Sequence, residues 1–144
     1  MTTTTSPRTI PAPSATAGRS IWRTAGTAGV VAAVATTAIG AIAKAADVPL
    51  RLGDFQIQVP AFAMFTLIAA AVGGLIASQL QKRAGQPHRT FLIATVVLTA
   101  LSFIPDLTAD ATTATKLTLV GAHLVAAAVI IPALAGRLSA TRAR

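Results

Sequence analysis

Cysteine and glutamate are both absent from this chain of 144 residues, and charged residues of either sign are scarce. Without cysteine the chain forms no disulfide, no thiolate metal site and no cysteine nucleophile. Only 11% of the residues are charged, whereas about a quarter are charged in ordinary soluble domains. With a mean hydropathy of +0.69, this is too little charge to coat a soluble globule. The composition therefore indicates an integral membrane protein.

The few charges are strongly one-sided, with twelve Lys and Arg against four Asp and a formal net charge of +8. In a soluble protein this excess would favour nucleic-acid binding. Here the basic residues cluster between apolar runs, where anionic lipid head groups and membrane topology explain them better. We therefore expect the lipid bilayer as a partner, and no nucleic acid.

Long apolar runs dominate what remains, and they predict four membrane-spanning helices. The spans cover residues 24–43, 60–80, 89–104 and 117–136. Twenty residues at ~1.5 Å each cross the ~30 Å hydrocarbon layer of a bilayer. The third span reaches only ~24 Å, because we expect Pro105-Asp106 to end it, and snorkelling and local thinning make up the difference. The fold class is therefore an all-α membrane protein, an antiparallel bundle of four transmembrane helices.

Polar segments flank this membrane domain, which is predicted to span residues 20–138. Residues 1–19 are rich in Thr, Pro, Ser and Ala and predict a disordered tail, after which Ser20 can cap the first helix. Residues 139–144 form a basic tail. The first span resembles a signal peptide, but its length favours a membrane anchor that is retained.

The segment between the first two spans changes to a two-residue period. With Gly53-Asp54 as the turn, Leu52 faces Phe55, Arg51 faces Gln56 and Leu50 faces Ile57, so that the apolar side chains share one face. This pattern predicts a short β-hairpin packed on the outer end of the bundle. An irregular loop remains the alternative.

Small residues recur every four positions along the first two spans. Such stripes allow helices to approach closely, although an alanine-rich composition also produces them by chance. The stripes of the first span are Ala25, Gly29, Ala33, Thr37 and Ala41, beside Ala28, Ala32, Thr36 and Gly40, and those of the second are Ala69, Gly73 and Ala77, beside Ala70, Gly74 and Ser78.

Lys and Arg are unequally shared between the two ends of the predicted bundle, and this sets the orientation. Nine lie on the side that carries both termini and three on the other. Because the more basic side of a membrane protein faces the cytoplasm, we expect a protein of the cell membrane with both termini cytoplasmic. The three on the opposite side are Lys44, Arg51 and Lys116.

Several landmarks resemble an uncharacterised family of small bacterial four-span membrane proteins, known only as a domain of unknown function. They include the Thr-rich start, Val59-Pro60-Ala61-Phe62, Arg89-Thr90-Phe91, LTALSFIPDL at 98–107 and HLVAAAVIIPALAGRL at 123–138. The match covers roughly residues 20 to 138. The resemblance implies the four-span topology and implies no activity.

His123 is the residue in the spans that asks for a functional explanation, because an ionisable side chain in a membrane is costly. It lies ~10 Å below the outer interface by helix rise. Thr37, Thr66 and Thr99 are expected near the same depth and form, with His123, a candidate polar pocket. Two interpretations stay open: a proton- or ligand-responsive group, or a neutral imidazole that fixes helix register with one hydrogen bond.

Pro132 is expected to bend the fourth helix, because proline lacks the N–H and crowds the carbonyl of Ala128. Such a kink serves as a hinge in some transporters and occurs in static bundles too.

We expect no enzyme, no cofactor and no metal site, since the sequence has no phosphate-binding loop and no second histidine opposed to His123 within the spans. The leading hypothesis is a non-enzymatic accessory or structural membrane component, assembled with itself or with another membrane protein. The alternative is a small transporter, channel or proton-responsive sensor that uses His123. An enzyme, or a haem or quinone protein, is a third and weaker class.

Overall fold

The computed structural model describes residues 15–140, with side chains for residues 20–139, and contains four helices packed together. Each helix includes a stretch that is long and apolar enough to cross a membrane. The predicted four-helix architecture is therefore confirmed. The helices are α1 (Ala15–Ala45), α2 (Val59–Arg83), α3 (Pro87–Thr108) and α4 (Thr113–Ala140).

The helices extend beyond the apolar runs at both ends, because backbone hydrogen bonding continues into polar flanks. Helix α1 begins at Ala15, so Ser20 lies inside the helix and is not its N-cap. The rest of the predicted N-terminal tail, residues 1–14, and residues 141–144 of the basic tail lie outside the described residues.

Helix α3 corrects one prediction, since it does not end at Pro105 but continues to Thr108. Proline removes the hydrogen bond that its own N–H would make, and it leaves its carbonyl free to accept one. The Ala109 N–H donates to the Pro105 carbonyl at 3.0 Å and closes one more turn. Asp106 is therefore a residue of α3, whereas the sequence predicted that the helix ends at Pro105-Asp106.

Helix α1 packs most extensively against α2 and α4, whereas α3 packs mainly against α4. Of the four apolar stretches, the one in α3 is the least buried. Most of its large apolar side chains face outward, as expected of a surface in contact with lipid, whereas Phe91 is buried. Examples of the outward side chains are Ile93, Val96, Val97, Leu101 and Ile104.

Small residues bring α1 and α2 close together. A Cβ added at Gly29 would lie 2.8 Å from the Ala70 Cβ, and one at Gly40 would lie 2.7 Å from the Phe62 ring. A methyl group cannot fit at either position without movement of its neighbour. The small-residue stripes therefore serve as packing surfaces inside the bundle, and chance composition does not account for them.

A two-stranded antiparallel hairpin covers one end of the bundle, with strands β1 (Arg51–Leu52) and β2 (Phe55–Gln56) in the predicted register. The Ile57 N–H also donates to the Leu50 carbonyl at 2.8 Å. Gly53 has a φ of 56° at the first central position of the turn, where type II′ hairpins take glycine. The hairpin prediction is confirmed, and the irregular loop is excluded.

The base of the hairpin is attached to the bundle through its apolar face. Leu50 and Ile57 are buried in a cluster with Ala43, Phe62 and Leu119. The Gly53 N–H donates to the Asp110 carbonyl at 2.7 Å and ties the turn to the loop between α3 and α4. Packing of this kind supplies the stability that an isolated hairpin lacks.

Candidate functional site

The His123 side chain lies where α3 and α4 meet. Its Nδ1 atom is 3.0 Å from the carbonyl oxygen of Leu119, one turn earlier on α4, and 2.9 Å from the Asp106 Oδ2 atom on α3. Phe103 on α3 approaches the imidazole edge to face, with ring centroids 6.2 Å apart. The imidazole is thus held by one carbonyl, one carboxylate and one aromatic ring.

The carbonyl contact indicates which ring nitrogen carries the proton. A carbonyl oxygen only accepts hydrogen bonds, so the Nδ1 atom must donate to Leu119. The Asp106 Oδ2 atom is buried and accepts no well-aligned hydrogen bond, although the Nδ1 atom is within ion-pair distance. We therefore interpret the contact with Asp106 as electrostatic, with the N–H directed mainly at Leu119.

The second ring nitrogen, Nε2, has no hydrogen-bond partner among residues 20–139. It is not buried, since the buried polar side-chain atoms without a partner in this part of the chain belong to Thr37 and Asp106. The His123 side chain is 42% exposed. It lies seven residues from Lys116 along α4, or ~10 Å by helix rise. An imidazole nitrogen without a hydrogen-bond partner is therefore accessible at the surface of a helix that is long and apolar enough to cross a membrane.

Asp106 completes a polar face of α3 that sequence reasoning missed. The Asp106 side chain is only 12% exposed. Thr95, Thr99 and Ser102 precede it at intervals of four and three residues, which place all four on one side of a helix. This spacing is the signal that could have found it, had the proline before it not been taken as the end of the helix.

Of the threonines predicted to lie near His123, Thr66 contacts α1, and Thr99 lies on the face of α3 that also carries Asp106. The Thr66 hydroxyl is 2.9 Å from that of Thr36, which links α2 to α1. The Thr37 hydroxyl is buried and has no hydrogen-bond partner. Within residues 20–139, no hydrogen bond joins His123 to Thr37, Thr66 or Thr99. Thr66 therefore pairs with a threonine of α1 and makes no hydrogen bond with the imidazole.

Pro132 lies on an exposed part of α4, which runs without interruption through it. The bend expected at this residue stays a prediction.

An open cleft of about 500 Å³ is lined by the hairpin and by the loop between α3 and α4. Its polar lining residues are Arg51, Asp54, Asp110 and Thr112. Beside it, the Lys116 ammonium donates to the Leu107 carbonyl at 2.8 Å and caps the end of α3. Among residues 20–139, no three His, Cys, Asp or Glu side chains come together as metal ligands would.

Comparison with protein families finds one match, to a family of unknown function (DUF6069), over residues 16–140. Because the match covers most of the chain, the chain belongs to this family. Comparison with curated proteins and with solved structures finds no match. The family resemblance seen in the sequence is confirmed, and the four apolar helices indicate a membrane protein.

Proposed function

We propose that this member of the DUF6069 family is a non-enzymatic, multi-pass protein of the cell membrane that acts as an accessory component assembled with another membrane protein. The observation that carries the proposal is the exposed His123 side chain on the outer surface of α4. In a bilayer, an unsatisfied polar group costs several kcal/mol. A bound partner can satisfy it, whereas lipid tails cannot.

The small-residue stripes are not evidence for a partner, because packing between α1 and α2 already uses them. Gly29 and Gly40 on α1 are both filled by side chains of α2. The case for a partner therefore depends on His123, and on the outward apolar faces that any lipid-embedded partner would accept.

The distribution of basic residues supports an orientation with both termini in the cytoplasm. One end of the bundle carries Arg23, Lys82, Arg83, Arg89 and Arg137, and the opposite end carries Lys44, Arg51 and Lys116. The excess at the first end is the pattern expected of the cytoplasmic side.

The experiment is to extract the full chain from native membranes in lipid nanodiscs formed by a polymer, and to measure the mass of the assembly. We expect a complex larger than the 14.5 kDa chain. His123→Leu should shift the protein toward the free chain. His88→Leu, at the far end of α3, should not. Recovery of the wild-type protein solely as a 14.5 kDa chain would contradict the proposal.

A second candidate function, a proton-responsive membrane protein, is favoured by the 2.9 Å contact between the His123 Nδ1 and Asp106 Oδ2 atoms. An imidazole and a carboxyl group can each bind or release a proton. The test is proton flux into vesicles that contain the full chain and a trapped pH-sensitive dye. This second function predicts proton flux that His123→Phe abolishes. Flux that is equal in the variant and the wild type would exclude this function.

A further inference from the structure

The inward side of the imidazole is fixed, so the ring is not free to turn its second nitrogen into the bundle. The Nδ1 atom is hydrogen-bonded to the Leu119 carbonyl and lies close to the Asp106 carboxyl group, and Phe103 packs against the ring. The two nitrogens lie on opposite sides of the ring, so an inward Nδ1 atom leaves the Nε2 atom facing away from these contacts. Asp106 thus acts as a positioning residue for His123.

The surroundings leave room for another helix at this point. We define the α3–α4 face as Ser102 and Phe103 on α3 with Val120, His123 and Ala127 on α4, all half-buried. Ser102 and Ala127 are small. Helices approach most closely in membranes where small residues line the contact and a polar side chain can bond across it.

We propose that the α3–α4 face is the docking surface of the partner, and that the partner is a transmembrane helix with a hydroxyl or carboxamide side chain level with His123. This inference rests on the proposed function. Hydroxyl and carboxamide groups both donate and accept, so they satisfy the Nε2 atom in either protonation state. A two-fold contact between copies of this chain with His123 on the axis would instead bring two Nε2 atoms of the same tautomer together, and both would be acceptors.

Two substitutions separate the inward and outward roles of the imidazole. His123→Asn places an amide near the Nδ1 position and keeps a donor for Leu119, but it removes the outward group. His123→Gln places its amide near the Nε2 position and keeps the outward group. We expect His123→Asn to fold and to weaken assembly by about threefold to twentyfold, the range that interhelical hydrogen bonds give in membranes. His123→Gln should retain assembly.

The location of the docking surface is tested by site-directed cross-linking, which the absence of native cysteine makes straightforward. Ala127→Cys, one turn from His123, is labelled with a photoreactive maleimide in native membranes. Val34→Cys, on the exposed outer face of α1, is the control. We expect an adduct from position 127, weakened by His123→Asn, whose partner peptide is a transmembrane segment with Ser, Thr, Asn or Gln within one turn of the cross-link.

Three outcomes would overturn the inference: an adduct between two copies of this chain, an adduct from position 34 alone, or a position-127 adduct that His123→Asn leaves unchanged. The last two would leave the proposed function standing, because an assembly would still exist and only its surface would differ. Absence of any assembly in the nanodisc measurement would instead remove the proposed function itself.

Discussion

Asp106 determines how His123 faces, because it occupies the inward side of the ring from a second helix. Its carboxylate contacts His123 at 2.9 Å, whereas Asp110 contacts the hairpin only through its backbone carbonyl. We predict that Asp106→Ala lowers the free energy of unfolding by about 0.5 to 1.5 kcal/mol, the net range for a typical polar interaction inside a protein. Asp110→Ala should change it by less than ~0.5 kcal/mol.

The measurement is reversible unfolding of both variants in mixed detergent micelles. Equal stabilities for Asp106→Ala and Asp110→Ala would show that the contact between Asp106 and His123 contributes nothing to the packing of α3 on α4.

Gly40 is a residue at which the packing of α1 on α2 is sensitive to size. A Cβ there would lie 2.7 Å from the Phe62 ring, so we predict that Gly40→Ala costs about 1 to 3 kcal/mol of stability through overpacking. At Gly26 on the same helix a Cβ would meet nothing within 4 Å. Gly26→Ala should therefore be neutral, or stabilising by up to ~1 kcal/mol. The same unfolding assay distinguishes them, and a Gly40→Ala variant as stable as Gly26→Ala would refute the close approach.

Helices α1 and α2 are also joined by a buried side-chain hydrogen bond. The Thr36 and Thr66 hydroxyls are 2.9 Å apart, and both residues are buried. We predict a coupling energy of ~0.6 kcal/mol, and at most ~1.7 kcal/mol, in a double-mutant cycle of Thr36→Val and Thr66→Val. Strictly additive effects of the two substitutions would mean that the hydroxyls do not interact.

The sequence predicted the elements whose cause is local. The register of the hairpin follows from alternation around Gly53-Asp54, and the four helices follow from the length of the apolar runs. The end of α3 was missed because Pro105 was interpreted as a stop, although proline disrupts bonding to the residues before it more than the turn after it. A continuous helix there would have placed Asp106 beside Thr95, Thr99 and Ser102.

At the scale of the whole molecule, the sequence predicts at which level along the bundle each residue lies, but it does not predict toward which neighbouring helix its side chain points. Helix rise places His123 and the threonines at comparable levels, but it does not say which way each side chain points around its helix. That direction depends on which helices are neighbours. Because α1 packs on α2 while α3 packs mainly on α4, Thr36 meets Thr66 and His123 meets Asp106.

The molecule has a tightly packed contact between α1 and α2 on one side and the loosely packed helix α3 on the other. Helix α3 carries the partner of His123, yet it is the helix with the least buried apolar stretch. A polar pair at this junction leaves the imidazole at the surface of the bundle. The proposal that a partner helix satisfies the His123 side chain therefore depends on whether that surface meets lipid or water when no partner is bound.

The most direct test is the environment of a spin label at Val120→Cys, which is one turn from His123 and keeps the histidine intact. With the full chain alone in lipid vesicles, paramagnetic relaxation is measured with oxygen, which concentrates in hydrocarbon, and with a water-soluble nickel chelate. The account predicts a label that oxygen reaches readily and the chelate does not. A label reached by the chelate and shielded from oxygen would place His123 beside a water-filled cavity and contradict it.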